Sequence, residues 1–308
     1  MKLFASLILF VSVVSFSQTT SEKGKDISVS KFIDGTILVP PNTENPPLVI
    51  IVAGSGPTDR NGNQQMMKNN SLKFLAQGLF NKGIATFRYD KRIIKQLKDR
   101  TINEESIRFD DFIKDAIDVV EYFKRANAFS KIYVLGHSQG SLVGMIAAQG
   151  RADGFISIAG AGQEIDDVIV DQLAMQAPGL KDNARSAFDD MRVNGVAQNY
   201  SPGLASIFRK QIQPFMLTWM QYDPQVEIVK VEAPVLIING EKDLQVQVSE
   251  AEKLKAAKED AEYHIIPNMN HIMKEIVGND IENSKSYNEP NQPVVTELIE
   301  IISDFVLD

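Results

Sequence analysis

Gly136-His137-Ser138-Gln139-Gly140 follows the apolar run Ile132 to Leu135 and precedes a helical pattern from Leu142 to Ala148. A serine at such a junction sits on a sharp turn, and a Cβ two residues to either side would clash within it, which is a reason for the two glycines. The first N–H groups of the new helix have no partner of their own and can face a developing oxyanion. A serine hydroxyl becomes a nucleophile only when a base takes its proton. The chain has three histidines. His137 adjoins Ser138 and points away in the turn. His264 falls inside a strand-like run, Tyr263 to Ile266. His271 lies in the loop after that run, where the carboxyl edge of a sheet presents ligand chemistry, and is the expected base. An acid must then hold the imidazole. Pro234 to Asn239 reads as a strand, and Gly240-Glu241-Lys242-Asp243 follows it. Asp243 is the expected acid, with Glu241 as its local rival.

Eight strands are needed to carry these loops. Ile27 to Ile33 and Thr36 to Val39 flank Asp34-Gly35, a good hairpin turn. Leu48 to Ala53 is a continuous apolar run, as in a strand buried on both faces. Ile84 to Tyr89, Ile132 to Leu135, Phe155 to Ala159, Val235 to Ile238 and Tyr263 to Ile266 complete the set. Helical spacing lies between them, clearest at Leu72 to Leu79, at Phe109 to Phe123 and at Val295 to Val306. The alternation predicts an α/β fold, a mainly parallel sheet with helices on both faces. From about residue 163 to 222 no strand is expected. Three helical patches there, the third from Leu204 to Trp219 with a kink at Pro214, read as a helical insertion expected to lie over the site as a cap. Phe215, Trp219 and Tyr222 fit either an acyl pocket or a helix core, and Asp166-Asp167 and Asp189-Asp190 read as solvated helix faces.

With these residues in view, the chain resembles the α/β-hydrolase superfamily over essentially all of its length after residue 17. The order Ser138, Asp243, His271 is that of this fold. The likeness is closest to secreted bacterial esterases and serine-aminopeptidase-like hydrolases. It rests also on Gly54-Ser55-Gly56-Pro57-Thr58-Asp59-Arg60, on Arg88-Tyr89-Asp90-Lys91-Arg92 and on Asn270-His271. Ala53 stands where the wider superfamily usually has histidine. The resemblance implies an oxyanion hole made by the backbone N–H groups of Ser55 and Gln139. Asp59 and Arg60 are expected to pin their own loop. Gly54-Ser55-Gly56 is not a phosphate loop, since no Gly-Lys-Ser/Thr follows.

Composition narrows the partners. The 308 residues are 44% apolar and 23% charged, with no cysteine and a formal charge of −8. That excludes a disulfide scaffold, a thiolate metal site and a cysteine nucleophile. It leaves no basic excess for nucleic acid. No cofactor and no metal are expected. Lys2 is the only charge before Glu22, and Leu3 to Phe16 is mostly apolar but shorter than the roughly 20 residues a spanning helix needs. Residues 1–17 therefore read as a cleaved signal peptide, 18–26 as a flexible leader and 27–308 as the hydrolase domain. The product is expected to be secreted or periplasmic, without a membrane anchor. The leading expectation is a serine hydrolase acting on a small-molecule carboxylic ester. A serine aminopeptidase or amidase acting on a short peptide is the alternative, and a non-catalytic binding protein is the third reading.

Overall fold

The computed structural model describes residues 24–41 and 43–308. The expected signal peptide (1–17) and residues 18–23 of the expected leader lie outside the described residues.

The strands are β1 (Lys25–Ser28), β2 (Asp34–Leu38), β3 (Leu48–Val52), β4 (Ala85–Tyr89), β5 (Ile132–His137), β6 (Gly154–Ile158), β7 (Val235–Gly240) and β8 (Glu262–Ile266). They form one sheet in the order β1-β2-β4-β3-β5-β6-β7-β8. β2 is antiparallel to both β1 and β4, and the remaining pairs are parallel. The fold is that of the α/β hydrolases. Strand period 2 divides the core. Ile50, Val134 and Ile237 face one way, toward the helical residues Phe112, Ala116 and Val143. Val49, Leu135 and Leu236 face the other way, toward Leu75, Leu298 and Ile302.

The helices are α1 (Ser71–Asn81), α2 (Arg92–Lys98), α3 (Phe109–Ala126), α4 (Gln139–Ala148), α5 (Ile165–Gln176), α6 (Lys181–Asn194), α7 (Ala205–Phe208), α8 (Gln213–Trp219), α9 (Pro224–Val229), α10 (Val248–Ala257), α11 (Asp280–Ser286) and α12 (Thr296–Leu307). No helix among the described residues is long and apolar enough to cross a membrane. The chain runs from β3 to β4 on one side and then to β5 on the other side of β3. The order reverses between β3 and β5, and Val52 pairs with Gly136 there. Their following loops, at Gly54-Ser55 and at Ser138, meet at this switch point.

Some local expectations change. The hairpin turn lies at residues 29–33, not at Asp34-Gly35, which begin β2. Gly35 is small because the Phe87 ring lies 2.2 Å from where its Cβ would be, so it serves packing and not a turn. Lys25 and Asp26, read as leader, belong to β1. The Asp26 carboxylate accepts from Thr36 Oγ1 at 2.5 Å and from Arg60 at 3.0 Å, so a polar sequence still makes an edge strand. The third helical patch is broken into α7 and α8, and Pro214 sits in the first turn of α8. Proline is tolerated there because that N–H has no helical partner. The Gln213 amide takes the freed Phe208 carbonyl at 2.6 Å and also bonds Ala197.

Residues 163–222 contain α5 to α8 and no strand. They hold a small core of their own, centred on Phe188, Phe208, Met191 and Met216. Asp166 is not a solvated face. It is 1% exposed and receives Arg185 at 2.6 Å and Arg192 at 2.7 Å, which fasten α6 to α5. These two guanidinium groups hold its carboxyl below the usual range against the cost of burial.

Candidate active site

Ser138 lies between β5 and α4 with φ 56° and ψ −125°, a conformation that L residues rarely adopt. The strain is held by close packing on both sides. A Cβ on Gly136 would come within 2.1 Å of Gly140 O, and one on Gly140 within 2.3 Å of Val52 O. The turn therefore requires glycine at both places, and it lifts Ser138 to the sheet edge, half-buried.

His271 Nε2 lies 3.1 Å from Ser138 Oγ, and His271 Nδ1 lies 2.7 Å from Asp243 Oδ2. His271 and Asp243 are buried. The structure thus brings together all three residues expected from the sequence. Asp243 Oδ1 accepts from the N–H groups of Gln245 and Val246 at 2.8 and 2.9 Å, so the carboxylate is fixed before it meets the imidazole. Glu241 is exposed and makes no bond to His271. His264 is on the edge strand β8, 3.9 Å from Glu262.

The loop of His271 is tied to the loop of Asp243. The Asn270 side chain donates to Asn283 Oδ1 and Ser286 Oγ, both at 2.9 Å, and Asn283 donates to Lys242 O at 2.7 Å. The buried Lys274 reaches the carbonyls of Ser286 and Glu289. This brace rests on α11, which the sequence periodicity did not reveal because the helix has seven residues. His137 also has a place that sequence reasoning missed. Its Nε2 donates to the His271 carbonyl at 2.7 Å. Burial and the neighbouring His271 push its pKa down to about 4, so it stays neutral as a brace.

Ser55 and Gln139, the expected oxyanion donors, flank Ser138 at the ends of β3 and β5. Gln139 is the first residue of α4, whose N–H has no helical acceptor. Ser55 O is held by Thr58 Oγ1 at 2.8 Å and by Gln64 Nε2 at 2.9 Å. Asp59 accepts from the N–H groups of Asn61 and Asn63, and Arg60 pairs with Asp90 at 2.7 Å, so both pin this loop as expected.

Two cavities open on Ser138. The first, about 230 Å³, is lined by Ser55, Thr58, Gln64, Ser71, His271, Ile272 and Tyr287, among others. The second, about 270 Å³, is more apolar and is lined by Gln139, Leu142, Ile165, Val168, Ile169 and Trp219, among others. Gln245 borders both and donates to the Tyr287 hydroxyl at 2.8 Å. Among the described residues neither lining contains an Asp or Glu. Of the three aromatics left open above, Trp219 lines the second cavity and stacks on Phe109 at 5.3 Å. Phe215 packs in the core, and Tyr222 donates to Asp110.

The profile of the family described as Hydrolase_4, serine aminopeptidase S33, matches residues 69–275. The chain belongs to this family. As a member of the serine aminopeptidase S33 family it is 29% identical, over 265 residues, to a protein named esterase EstD from Thermotoga maritima. That match takes in 81% of this chain and 60% of the relative, so the chain spans about 60% of the relative's length. Two solved structures share its fold. Est1E from Butyrivibrio proteoclasticus superposes with a TM-score of 0.59 at 19% identity, covering 92% of this chain and 97% of that one. Proline iminopeptidase from Mycobacterium smegmatis gives 0.54 at 14% identity, with the same coverage of 92% and 97%. The S33 family profile takes in Ser138, Asp243 and His271, and leaves the Gly54-Ser55 loop before it.

Proposed function

We propose that this S33 family member is a serine hydrolase that cleaves carboxylic esters through Ser138, His271 and Asp243. The observation that carries the reading is the continuous hydrogen-bond line from Ser138 Oγ to His271 to Asp243, with Ser138 held in a strained turn. Ser138 gives its proton to His271 Nε2 and attacks the ester carbonyl carbon. Asp243 accepts from Nδ1–H, fixing the tautomer and stabilising the imidazolium. The N–H groups of Ser55 and Gln139 take the oxyanion. His271 passes its proton to the departing alkoxide, and an acyl-Ser138 remains. Water then loses a proton to His271, attacks the acyl carbon and releases the acid, and the proton returns to Ser138.

The departing alcohol must lie beside His271, so it occupies the first cavity. The acyl group occupies the second, between Leu142 on α4 and Ile165, Val168 and Ile169 on α5. Residues 163–222 act as a cap over this half of the site. The substrate is an uncharged small-molecule ester with an apolar acid and a polar alcohol. Esterase is favoured over aminopeptidase because a free substrate amine needs a carboxylate near it, and neither lining supplies one. Export is part of the same proposal. It rests on Lys2 and the apolar Leu3 to Phe16, whose removal at residue 17 makes the formal charge one unit more negative than −8.

A fluorophosphonate probe tests the reading. It should label the wild-type chain and fail on Ser138→Ala. The wild-type chain assayed without the probe should turn over p-nitrophenyl esters in preference to amino-acid p-nitroanilides. Labelling without ester turnover, but with anilide turnover, would replace the esterase reading by the aminopeptidase one. Equal labelling of Ser138→Ala would remove Ser138 as nucleophile.

A further inference from the structure

Lys91 is a buried cation in the wall behind the two amides assigned to the oxyanion. It is 6% exposed, and its Nζ donates to Gly54 O at 2.8 Å and to Gln139 Oε1 at 2.7 Å. The Gly54 carbonyl belongs to the same peptide unit as the Ser55 N–H. Gln139 is the residue whose own N–H supplies the second donor. One ammonium thus grips both halves of the hole from behind. Its remaining face lies over the Phe112 ring, 4.5 Å from the centroid.

We propose that Lys91 is the positioning residue of the oxyanion hole, orienting the Gly54–Ser55 peptide and polarising its N–H toward the transition-state oxyanion. The inference rests on the proposed roles of Ser138, Ser55 and Gln139. A cation on a carbonyl oxygen draws electron density through the peptide and strengthens the N–H as a donor, and such chains reinforce one another in a low-dielectric site. Neither bonded partner of Nζ is a carboxylate. The charged group that acts on it is Asp115 on α3, which favours the ammonium; Asp115 itself is bonded by Arg92 on α2 at 2.7 and 2.8 Å, and Arg92 also pairs with Asp111. Tyr89 on β4 is buried beside them and stays protonated. Burial dominates and lowers the Lys91 pKa to about 7. The ammonium is therefore lost just above neutrality, and the polarisation with it.

The experiment compares wild type, Lys91→Met and Gln139→Glu on p-nitrophenyl butyrate across pH 5 to 10, with melting temperature and fluorophosphonate labelling read in parallel. In wild type kcat should fall above a pH of about 7, as the Lys91 ammonium is lost. Lys91→Met should lower kcat roughly 10- to 100-fold at pH 6.5 with KM changed less than twofold, and should abolish the alkaline fall. Its affinity for a trifluoromethyl ketone, which forms an oxyanion on the enzyme, should drop by a similar factor. Gln139→Glu keeps the acceptor and adds a negative charge, so it should move the alkaline fall to higher pH. This variant decides the matter if Lys91→Met does not fold. A lysine that only fills space would change the melting temperature and leave the pH profile intact. An alkaline limb unchanged in both variants, or in Gln139→Glu alone where Lys91→Met is lost, overturns the role of Lys91. A wild type whose Ser138 is not labelled overturns instead the nucleophile on which it rests.

Discussion

Asp243 shows how a carboxylate is made into an orienting group. Both of its oxygens are committed, Oδ1 to two backbone N–H groups and Oδ2 to His271. Asp243→Asn would present the wrong partner to Nδ1–H and should reduce kcat by about 10⁴-fold, whereas Glu241→Gln should stay within about twofold, both read with p-nitrophenyl butyrate. His137 supplies a second residue-scale prediction, in stability. Its folded pKa of about 4 lies below the usual histidine value near 6.5, so the unfolded chain binds the extra proton first. The stabilisation from keeping His137 neutral is present above about pH 6.5 and is lost as pH falls toward 4. His137→Gln has no such proton to take up. The stability difference between it and wild type, from urea unfolding at pH 7 and pH 4.5, should shift by a few kcal/mol in favour of the variant at the lower pH. At this scale the sequence was legible for Ser138, Asp243 and His271, because each follows a strand end. The brace from His137 to the His271 carbonyl was not legible, since those residues are 134 positions apart.

The element that does most for the site is the β5–α4 turn. Gly140 faces Val52 O at 2.3 Å and Ala53 O at 2.7 Å from its missing Cβ, both backbone atoms that cannot turn aside. Gly140→Ala should therefore cost about 2–4 kcal/mol and lower activity further by moving Ser138. Gly179→Ala, with nothing within 4 Å of its Cβ position, should change stability by less than about 0.5 kcal/mol. Thermal unfolding of the two variants beside wild type checks the contrast. Apolar patterning located seven of the eight strands and the long helices α1, α3, α4 and α12, but met β1 only at Ile27 and Ser28. It missed α2, α9 and α11, which have seven, six and seven residues. Two turns carry too little period to rise above chance. It also joined α7 to α8, because the spacing from Phe208 to Ile212 keeps the helical period across the polar Arg209-Lys210-Gln211 while the backbone does not.

Across the whole molecule, the proposed site is shared between the sheet edge and the inserted helices. α5 brings Ile165, Val168 and Ile169 to the second cavity, and its place on α6 depends on Asp166 receiving Arg185 and Arg192. Asp166→Asn removes the charge that both guanidinium groups face. It should raise KM for octanoate esters several-fold while leaving acetate esters within about twofold, since only the longer chain reaches the α5 wall. Trp219→Ala, which hollows the same wall, should shift the acyl preference toward longer chains. A p-nitrophenyl ester series from two to ten carbons reads both.

The order of strands and helices, the turn at Ser138 and the choice of Asp243 and His271 as the proposed acid and base follow from local patterns, because each is set by residues within a few positions of one another. The reversal between β3 and β5 is a property of how the chain passes around β3, and it alone puts the Gly54-Ser55 loop beside Ser138. The grip of Lys91 on Gly54 O and Gln139 Oε1, across 37 and 48 positions, and the division of the space around Ser138 into two cavities, one more apolar than the other, come from the same packing. No periodicity records such contacts, because they depend on distances between elements and not on the spacing within any one of them.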